Sequence, residues 1–244
     1  MEDKPLLRFK ADGTFKLMQI SDVQDSEGIR PRTKELLNAA LDLERPDFVV
    51  LTGDQIRGYG LKLQLGSYER TYAAVEQTLK ELLGILDERG IPFTFTYGNH
   101  DHDAPIPMEE QTRIYQRYPL CYAEESPAGV PGYNNHVVPI YPAQGDTPAL
   151  LLYCMDSHSG LGFGYAPLEP EQVDWYRETR DAWAKENGGQ PIASMLFQHV
   201  PVEEINELYR AVPKGTKGAL EGYRNYAGKF YVLDDENTTG FMGE

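Results

Sequence analysis

Two hydrophobic patterns alternate along the first part of the chain. Short, unbroken apolar runs are typical of strands buried on both faces, and they alternate with longer segments whose apolar residues recur at helical spacing. These patterns predict strands at 15–21, 48–52 and 93–97, and helices at 31–44 and 68–89. The resulting β-α-β-α-β order is typical of a parallel sheet with crossover helices.

The pattern changes in the second half of the chain. Pro, Gly, Tyr and Asn become frequent over residues 119–148, and the strand-like pieces there are short. We interpret this middle part as a second sheet with more antiparallel character. The further predicted elements are helices at 109–117, 169–186 and 202–212, and strands at 135–141, 149–155 and 192–198. From residue 213 onward the pattern weakens and predicts a loop. Because no internal repeat is present, we predict a single α/β domain over residues 1–244.

The composition narrows the possible classes of function. The formal charge is 23 − 38 = −15, which argues against a nucleic-acid partner. The two cysteines, Cys121 and Cys154, form no C-x-x-C pair and lie in apolar surroundings, so they are expected in the core. No apolar run is long enough for a membrane span, and none resembles a signal peptide. A soluble, cytoplasmic protein without a membrane partner is therefore expected.

Polar side chains that can bind a metal ion or transfer a proton follow several of the predicted strands. In open α/β sheets, functional sites form beyond the carboxyl ends of the strands. The residues at these ends are Asp22 and Gln24, then Asp54, then Asn99, His100 and Asp101, and finally His199. Each one alone is an ordinary turn, cap or core residue. Together they supply oxygen and nitrogen donors without a thiol, a set that suits Mn, Fe or Zn. A carboxylate such as Asp54 can bridge two such ions.

The spacing of these residues resembles the motifs of a known family. Asp22-Val23-Gln24, Gly53-Asp54, Gly98-Asn99-His100-Asp101 and the later His199 are similar to D-x-H, G-D, G-N-H-[DE] and the lone H of the calcineurin-like metallophosphoesterase superfamily. The Gly-Asn-His-Asp element after an apolar strand is the most specific of these motifs. The resemblance covers about residues 15–201 and is nearest to the branch related to purple acid phosphatases. It implies a four-layer α/β/β/α sandwich with the site at one edge of the two sheets.

The resemblance also implies a role for each motif residue. His100 would contact the phosphate or protonate the leaving oxygen, and Asp101 would orient His100 through a hydrogen bond. The implied reaction is hydrolysis of a small phosphorylated substrate, a phosphomonoester, by a hydroxide that two divalent metal ions activate. The implied metal ligands are Asp22 and Gln24 for a first ion, Asp54 as the bridge, and Asn99 and His199 for a second ion.

Two departures from the family's pattern matter. Gln24 stands where the family usually has His, and a neutral amide oxygen is a weaker ligand than imidazole. No Gly-His-x-His motif follows His199. We therefore expect either that the fold is C-terminally incomplete or that the site is degenerate. The remaining histidines are expected at the surface (His136), or at the surface or directly behind the site (His102 and His158).

Three functions remain open on the sequence alone. The first is a metal-dependent phosphomonoesterase, which the retained His100-Asp101 pair favours. The second is a binding module of the same fold that has lost catalysis, which Gln24 and the missing motif favour. The third is a phosphodiesterase that uses the same metal chemistry, because substrate choice resides in loops whose sequence does not reveal it.

Overall fold

The computed structural model describes residues 4–161, 164–201, 219–224 and 228–233. The described helices are α1 (Pro31–Glu44), α2 (Leu61–Gln64), α3 (Tyr68–Asp87), α4 (Asn99–His102), α5 (Met108–Gln116) and α6 (Pro170–Glu186). The described strands are β1 (Leu7–Arg8), β2 (Leu17–Ile20), β3 (Phe48–Thr52), β4 (Phe93–Thr96), β5 (His136–Tyr141), β6 (Leu150–Cys154), β7 (Gly160–Leu161), β8 (Gly164–Tyr165), β9 (Ala193–Phe197), β10 (Ala219–Arg224) and β11 (Gly228–Leu233). The chain forms two compact units, Met1–Val200 and Pro201–Glu244.

The first sheet contains β2, β3 and β4 side by side, and all three strands are parallel. Helix α1 connects the first two strands, and α3 lies between the second and the third in the chain. Every residue of the central strand β3 is buried, as its unbroken apolar run predicts. Because parallel strands end at the same edge of a sheet, the residues after Ile20, Thr52 and Thr96 come together there.

The second sheet is mixed and has the strand order β1-β5-β6-β9. Strands β5 and β6 are antiparallel, while β1 pairs with β5 and β6 pairs with β9 in parallel. Strand β5 lies in the Pro- and Gly-rich middle part of the chain, β6 follows it, and β9 matches the strand predicted at 192–198. The prediction of a second sheet with more antiparallel character is therefore confirmed.

The two sheets pack face to face. Phe48 and Val50 of β3 share one hydrophobic cluster with Val138 of β5 and Leu152 of β6. A polar contact also crosses between the sheets, because the Thr96 hydroxyl donates to the carbonyl oxygen of Met155 at 2.7 Å. Burying each apolar side chain of this cluster contributes about 1.5–3 kcal/mol. This interior fixes the strand ends of both sheets relative to one another.

Helices cover the outer faces of both sheets. Leu79 and Leu83 of α3 are buried in one cluster with Val49 of β3. On the other side, the ring of Trp175 in α6 lies 6.2 Å from the ring of Tyr153 in β6, in an edge-to-face arrangement. The layers follow the order helix, sheet, sheet, helix. The predicted four-layer α/β/β/α fold is confirmed.

Several elements differ from the sequence prediction. The unit Pro201–Glu244 contains an antiparallel hairpin of β10 and β11, in a region where the weak pattern predicted a loop. The two-residue strands β7 and β8 also form a hairpin that the pattern did not predict. The predicted helix at 202–212 lies outside the described residues. The expectation of a single domain over 1–244 stays a prediction.

Buried polar and thiol groups complete the interior. Cys121 and Cys154 are buried and free, as expected. His136 is only 3% exposed, so the expectation of a surface position is wrong. Its Nδ1 donates to the carbonyl oxygen of Asn134 at 2.6 Å, and the Thr94 hydroxyl donates to Nε2 at 2.6 Å. Among the described helices, none combines the length and the apolar character that crossing a membrane requires.

Candidate metal centre

The loops after β2 and β3 adopt an unusual backbone conformation. Asp22, Gln24 and Asp54 have φ angles of 57°, 46° and 55°, in the left-handed region that non-glycine residues rarely adopt. Hydrogen bonds between the two loops hold this conformation. The Asp22 amide donates to the Gly53 carbonyl at 3.1 Å, and the Gln24 amide donates to the Asp54 carbonyl at 2.9 Å. Backbone strain of this kind is concentrated at functional sites.

Two glycines allow the strand ends to approach closely. A Cβ atom at Gly98 would lie 2.2 Å from Asp54 Oδ1, and one at Gly53 would lie 2.6 Å from His199 Nδ1. Gly53 also has a φ of 93°, which disfavours any other residue. These close approaches explain the glycine before Asp54 and the glycine before Asn99.

Three of the predicted ligands converge at this edge. One ligand atom from each of Asp22, Asp54 and His199 lies within 4.8 Å of the others. Asp54 is only 2% exposed, and its Oδ1 lies 3.4 Å from His199 Nε2. His199 Nδ1 donates to the carbonyl oxygen of Thr52 at 2.9 Å, which leaves Nε2 to face the carboxylates. In many metal sites, the histidine nitrogen that does not bind the metal donates a hydrogen bond of this type, and that bond orients the ring.

The charges of this cluster are strongly coupled. Burial, the largest single effect, lowers the pKa of His199. The hydrogen bond to Asp54 and the charge of that carboxylate, together with the Thr52 carbonyl and Asp22, outweigh burial and raise the pKa to about 9. Burial opposes ionisation of Asp54, yet His199 and His100 hold the pKa of that carboxyl below its usual value. In the absence of a cation, an imidazolium thus balances the buried carboxylate.

Gln24 also reaches this cluster, but not with its oxygen. Its Nε2 donates to Asp22 Oδ1 at 3.2 Å and to Asp54 Oδ2 at 3.0 Å. Its Oε1 instead accepts a hydrogen bond from the Tyr59 hydroxyl at 3.3 Å. The sequence predicts an oxygen ligand here, whereas the structure places an amide nitrogen against the two carboxylates.

His100 lies at the border of the cluster. Its Nδ1 is 2.7 Å from Asp103 Oδ2, and its Nε2 is 3.9 Å from Asp54 Oδ2. The Asn99 amide nitrogen is 3.2 Å from the same Nδ1. The ring of Tyr59 lies 4.4 Å from the imidazole ring and covers one of its faces. The side chain of His100 remains 30% exposed, so a ligand in solvent can reach it.

Asp101 does not contact His100 as expected. Its two oxygens accept hydrogen bonds from three backbone amides, those of Asp54 (2.7 Å), Ile56 (2.8 Å) and Gly98 (2.9 Å). It is fully buried, and burial raises the pKa of its carboxyl to about 7 against the opposing effect of these amides. Asp101 therefore joins the ends of β3 and β4. The expectation that it forms a hydrogen bond to His100 is wrong.

Asp103 and Tyr59 were not among the residues predicted for the site. Asp103 follows His100 by three residues across the one-turn helix α4, and residues three apart on a helix are neighbours. That spacing was the signal, and it was visible in the sequence. Tyr59 gave no such signal, because it lies in a Gly-rich loop whose conformation the pattern does not define.

The other two histidines near this edge lie behind the site. His102 Nε2 is 3.2 Å from Asp156 Oδ1, and Asp156 is fully buried after β6. His158 Nε2 is 2.8 Å from Gln172 Oε1. Both histidines are partly buried. These contacts agree with the expectation of residues directly behind the site.

The donor set fits a divalent metal ion. Two carboxylates and one imidazole nitrogen converge on a common point, and all are hard or borderline ligands. Oxygen and nitrogen donors of this kind bind Mn, Fe and Zn in proteins. Asp22 is exposed, so the point of convergence is open to solvent on one side. Such an open side is the feature that separates catalytic from structural metal sites.

Comparison with known proteins agrees with this geometry. The profile of the Calcineurin-like phosphoesterase family matches residues 15–229. The chain belongs to this family. Within it, the chain is 28% identical over 237 residues to "Phosphatase DCR2" of Saccharomyces cerevisiae, covering 86% of this chain and 39% of that protein. It is 26% identical over 240 residues to "Probable inactive purple acid phosphatase 28" of Arabidopsis thaliana, covering 83% of this chain and 57% of that protein.

These relatives are longer than the chain, and their names differ from one another in the activity they state. The chain spans from 39% to 57% of the length of the two relatives. One is named a phosphatase and the other a probable inactive one. Among solved structures, TT1561 of Thermus thermophilus matches with 13% identity over 91% of this chain and 90% of that one, with a TM-score of 0.36.

Proposed function

We propose that this protein is a metal-dependent phosphoesterase that hydrolyses phosphomonoesters. One observation carries the proposal: the convergence of Asp22, Asp54 and His199 directly beside the partly exposed His100. Membership of the calcineurin-like phosphoesterase family supports the class of reaction. The formal charge of −15 gives a further reason for a metal ion, because an acidic protein attracts a phosphate only where cations reverse the local field.

Asp22, Asp54 and His199 would hold a divalent ion. The family pattern adds Asn99 and Gln24, but Gln24 directs its amide nitrogen at the two carboxylates and in this orientation is not itself a ligand. Mn, Fe and Zn fit this donor set. When bound, two such ions would polarise the phosphoryl oxygens and lower the pKa of a water molecule that attacks phosphorus in line. The protein's own contribution is to hold the ligands at fixed strand ends.

His100 is the group best placed to protonate the leaving oxygen. With Nδ1 donating to Asp103 Oδ2 at 2.7 Å, Nε2 is directed toward Asp54 and the cluster. Tyr59 packs on the ring and limits its rotation. A histidine held in this way acts as a general acid when its Nε2 carries the proton.

A second candidate function rests on Gln24. Because its amide nitrogen already binds the two carboxylates, the site is satisfied in part without metal. The naming of one relative as probably inactive agrees with this reading. The alternative is a binding module of the phosphoesterase fold that retains the site but not the reaction.

Hydrolysis of p-nitrophenyl phosphate with added Mn²⁺ tests the proposal. We expect His100→Ala to lower the rate by about 10²–10⁴-fold, the usual contribution of a general acid or base. Gln190→Ala, at an exposed position after α6, serves as the control and leaves the rate unchanged. Parallel assays with bis(p-nitrophenyl) phosphate separate monoester from diester activity. If the wild-type protein hydrolyses neither ester at saturating Mn²⁺, the binding module is the correct reading.

A further inference from the structure

The family pattern assigns two metal positions to this site, and their properties here rest on the metal centre proposed above. The first position belongs to Asp22, Gln24 and Asp54. In the structure, Gln24 Nε2 lies between the two carboxylates and donates to both, at 3.2 Å and 3.0 Å. An N–H donor therefore faces the oxygens where an imidazole would present a lone pair.

The orientation of this amide follows from its surroundings. The reversed orientation would direct Oε1 at two carboxylate oxygens, which repel it unless a cation lies between them. In the orientation observed, Oε1 accepts a hydrogen bond from the Tyr59 hydroxyl at 3.3 Å. The backbone of Gln24 is also held, because its amide donates to the Asp54 carbonyl at 2.9 Å.

The two metal positions are therefore not equivalent. A cation that enters beside Gln24 must break both hydrogen bonds from its amide to the carboxylates, and such charge-assisted bonds are the stronger ones. A cation between Asp22, Asp54 and His199 need not break them, because each carboxylate oxygen has a second lone pair. Gln24 thus stabilises the carboxylates in the absence of a first ion and competes with that ion.

We propose that this centre binds one divalent ion tightly, between Asp22, Asp54 and His199, and that the amide of Gln24 takes the place of the other ion, the one that the family pattern assigns beside Gln24. Gln24 is a hydrogen-bond donor to the metal ligands rather than a ligand itself. The second ion binds only at metal concentrations high enough to displace the amide.

Titration of the metal-free protein with Mn²⁺ tests this, with calorimetry to count the ions and electron paramagnetic resonance to detect pairs. Two Mn²⁺ ions about 3.5–4 Å apart, the usual separation in two-metal sites, are magnetically coupled. We expect wild-type protein to show one tight binding event and an uncoupled spectrum. Gln24→His should tighten the second event by about 10–100-fold, the range typical of groups that surround a metal. It should also produce a coupled spectrum.

Two further variants make the test specific. Gln190→His adds a histidine at an exposed position and should behave like wild type. Gln24→Glu places a third carboxylate in the cluster, so it should lower the melting temperature of the metal-free protein and also tighten the second event. Two ions of equal affinity in wild type would overturn the proposal and leave the proposed reaction intact. Unchanged second binding in both Gln24 variants would also overturn it. Absence of any ion in wild type would refute the metal centre itself.

Discussion

Two neighbouring carboxylates near His100 have different tasks. Asp101 is buried and binds three backbone amides, while Asp103 is exposed and lies 2.7 Å from His100 Nδ1. The amides at the ends of two buried strands need a buried acceptor, and Asp101 is the residue that can reach them. A side chain engaged in this way is not available to orient the imidazole. Asp103 is thus the positioning residue for His100.

We predict that Asp103→Ala lowers kcat for p-nitrophenyl phosphate by about 10–100-fold, less than the 10²–10⁴-fold expected for removing a general acid or base. The reason is that His100 loses the acceptor that fixes its Nδ1 proton and its orientation. KM should change little, because Asp103 does not face the metal ligands. Asp103→Asn retains an acceptor oxygen and should recover part of the rate. Steady-state kinetics of both variants measure this.

The control for this pair is Asp87→Asn, an exposed carboxylate at the end of α3. It should match wild type in kcat and KM. If Asp103→Ala and Asp103→Asn both leave kcat unchanged, His100 does not depend on Asp103. If both raise KM and not kcat, Asp103 contributes to substrate binding instead.

Most of the residues that form the site could be predicted from the sequence. Asp22, Asp54 and His199 were predicted to meet, and they do, because each follows a strand whose end lies at one edge. The partner of His100 was assigned wrongly because sequence adjacency favours Asp101, whereas burial and backbone amides determine its actual contacts. The orientation of the Gln24 amide depends on the charges around it, which no sequence pattern specifies.

One helix outside the site holds the loop that carries Asp22 and Gln24. Thr78 of α3 accepts a hydrogen bond from the Gly28 amide at 2.9 Å, and Glu81 accepts one from the Ile29 amide at 2.9 Å. The Ile29 amide accordingly lowers the pKa of Glu81. These two bonds join α3 to the end of the loop that leads from β2 into α1.

We predict that Thr78→Val lowers the free energy of unfolding by about 1 kcal/mol, the lower end of the cost of leaving a donor without a partner, because the Gly28 amide is only partly buried. The substitution preserves the shape of the side chain and removes only the hydroxyl. Urea unfolding followed by circular dichroism measures the change. Thr147→Val, at an exposed position in the loop after β5, is the matched control and should leave the stability unchanged. Equal stability of Thr78→Val and wild type would show that the loop does not depend on this contact.

Elements with strong periodicity were predicted well, and weakly patterned ones were not. Helix α1 was predicted over its observed range, Pro31–Glu44, and α3 within two residues of its observed end at Asp87. Both have apolar residues at helical spacing that face a sheet. The hairpins β7–β8 and β10–β11 were missed. The first has only two residues in each strand, and the second lies in a region of mixed polar and apolar residues.

At the scale of the whole molecule, acid stability depends on a histidine between the sheets. His136 on β5 is buried, and its two ring nitrogens bond to Asn134 and to Thr94 of the other sheet. Burial lowers the pKa of its imidazole to about 4, because the charged form would lose hydration and the hydrogen bond that Thr94 donates. In the unfolded chain the same group titrates near its ordinary value of about 6.5.

We predict that this histidine makes the protein less stable in mild acid. As the pH falls below about 6.5 the unfolded chain binds a proton that the folded protein does not, so the free energy of unfolding falls until about pH 4, where both states are protonated. The total loss from this one group is about 3 kcal/mol, from 1.36 kcal/mol per pKa unit.

His136→Gln cannot bind the proton, so its stability should fall less between pH 7 and 4.5, even if it is lower at pH 7. Urea unfolding of both proteins across that range measures the difference in their free energies of unfolding. The contributions of the carboxylates are the same in both proteins and cancel in this difference. Parallel curves for the two proteins would show that His136 is protonated as readily in the folded state as in the unfolded chain.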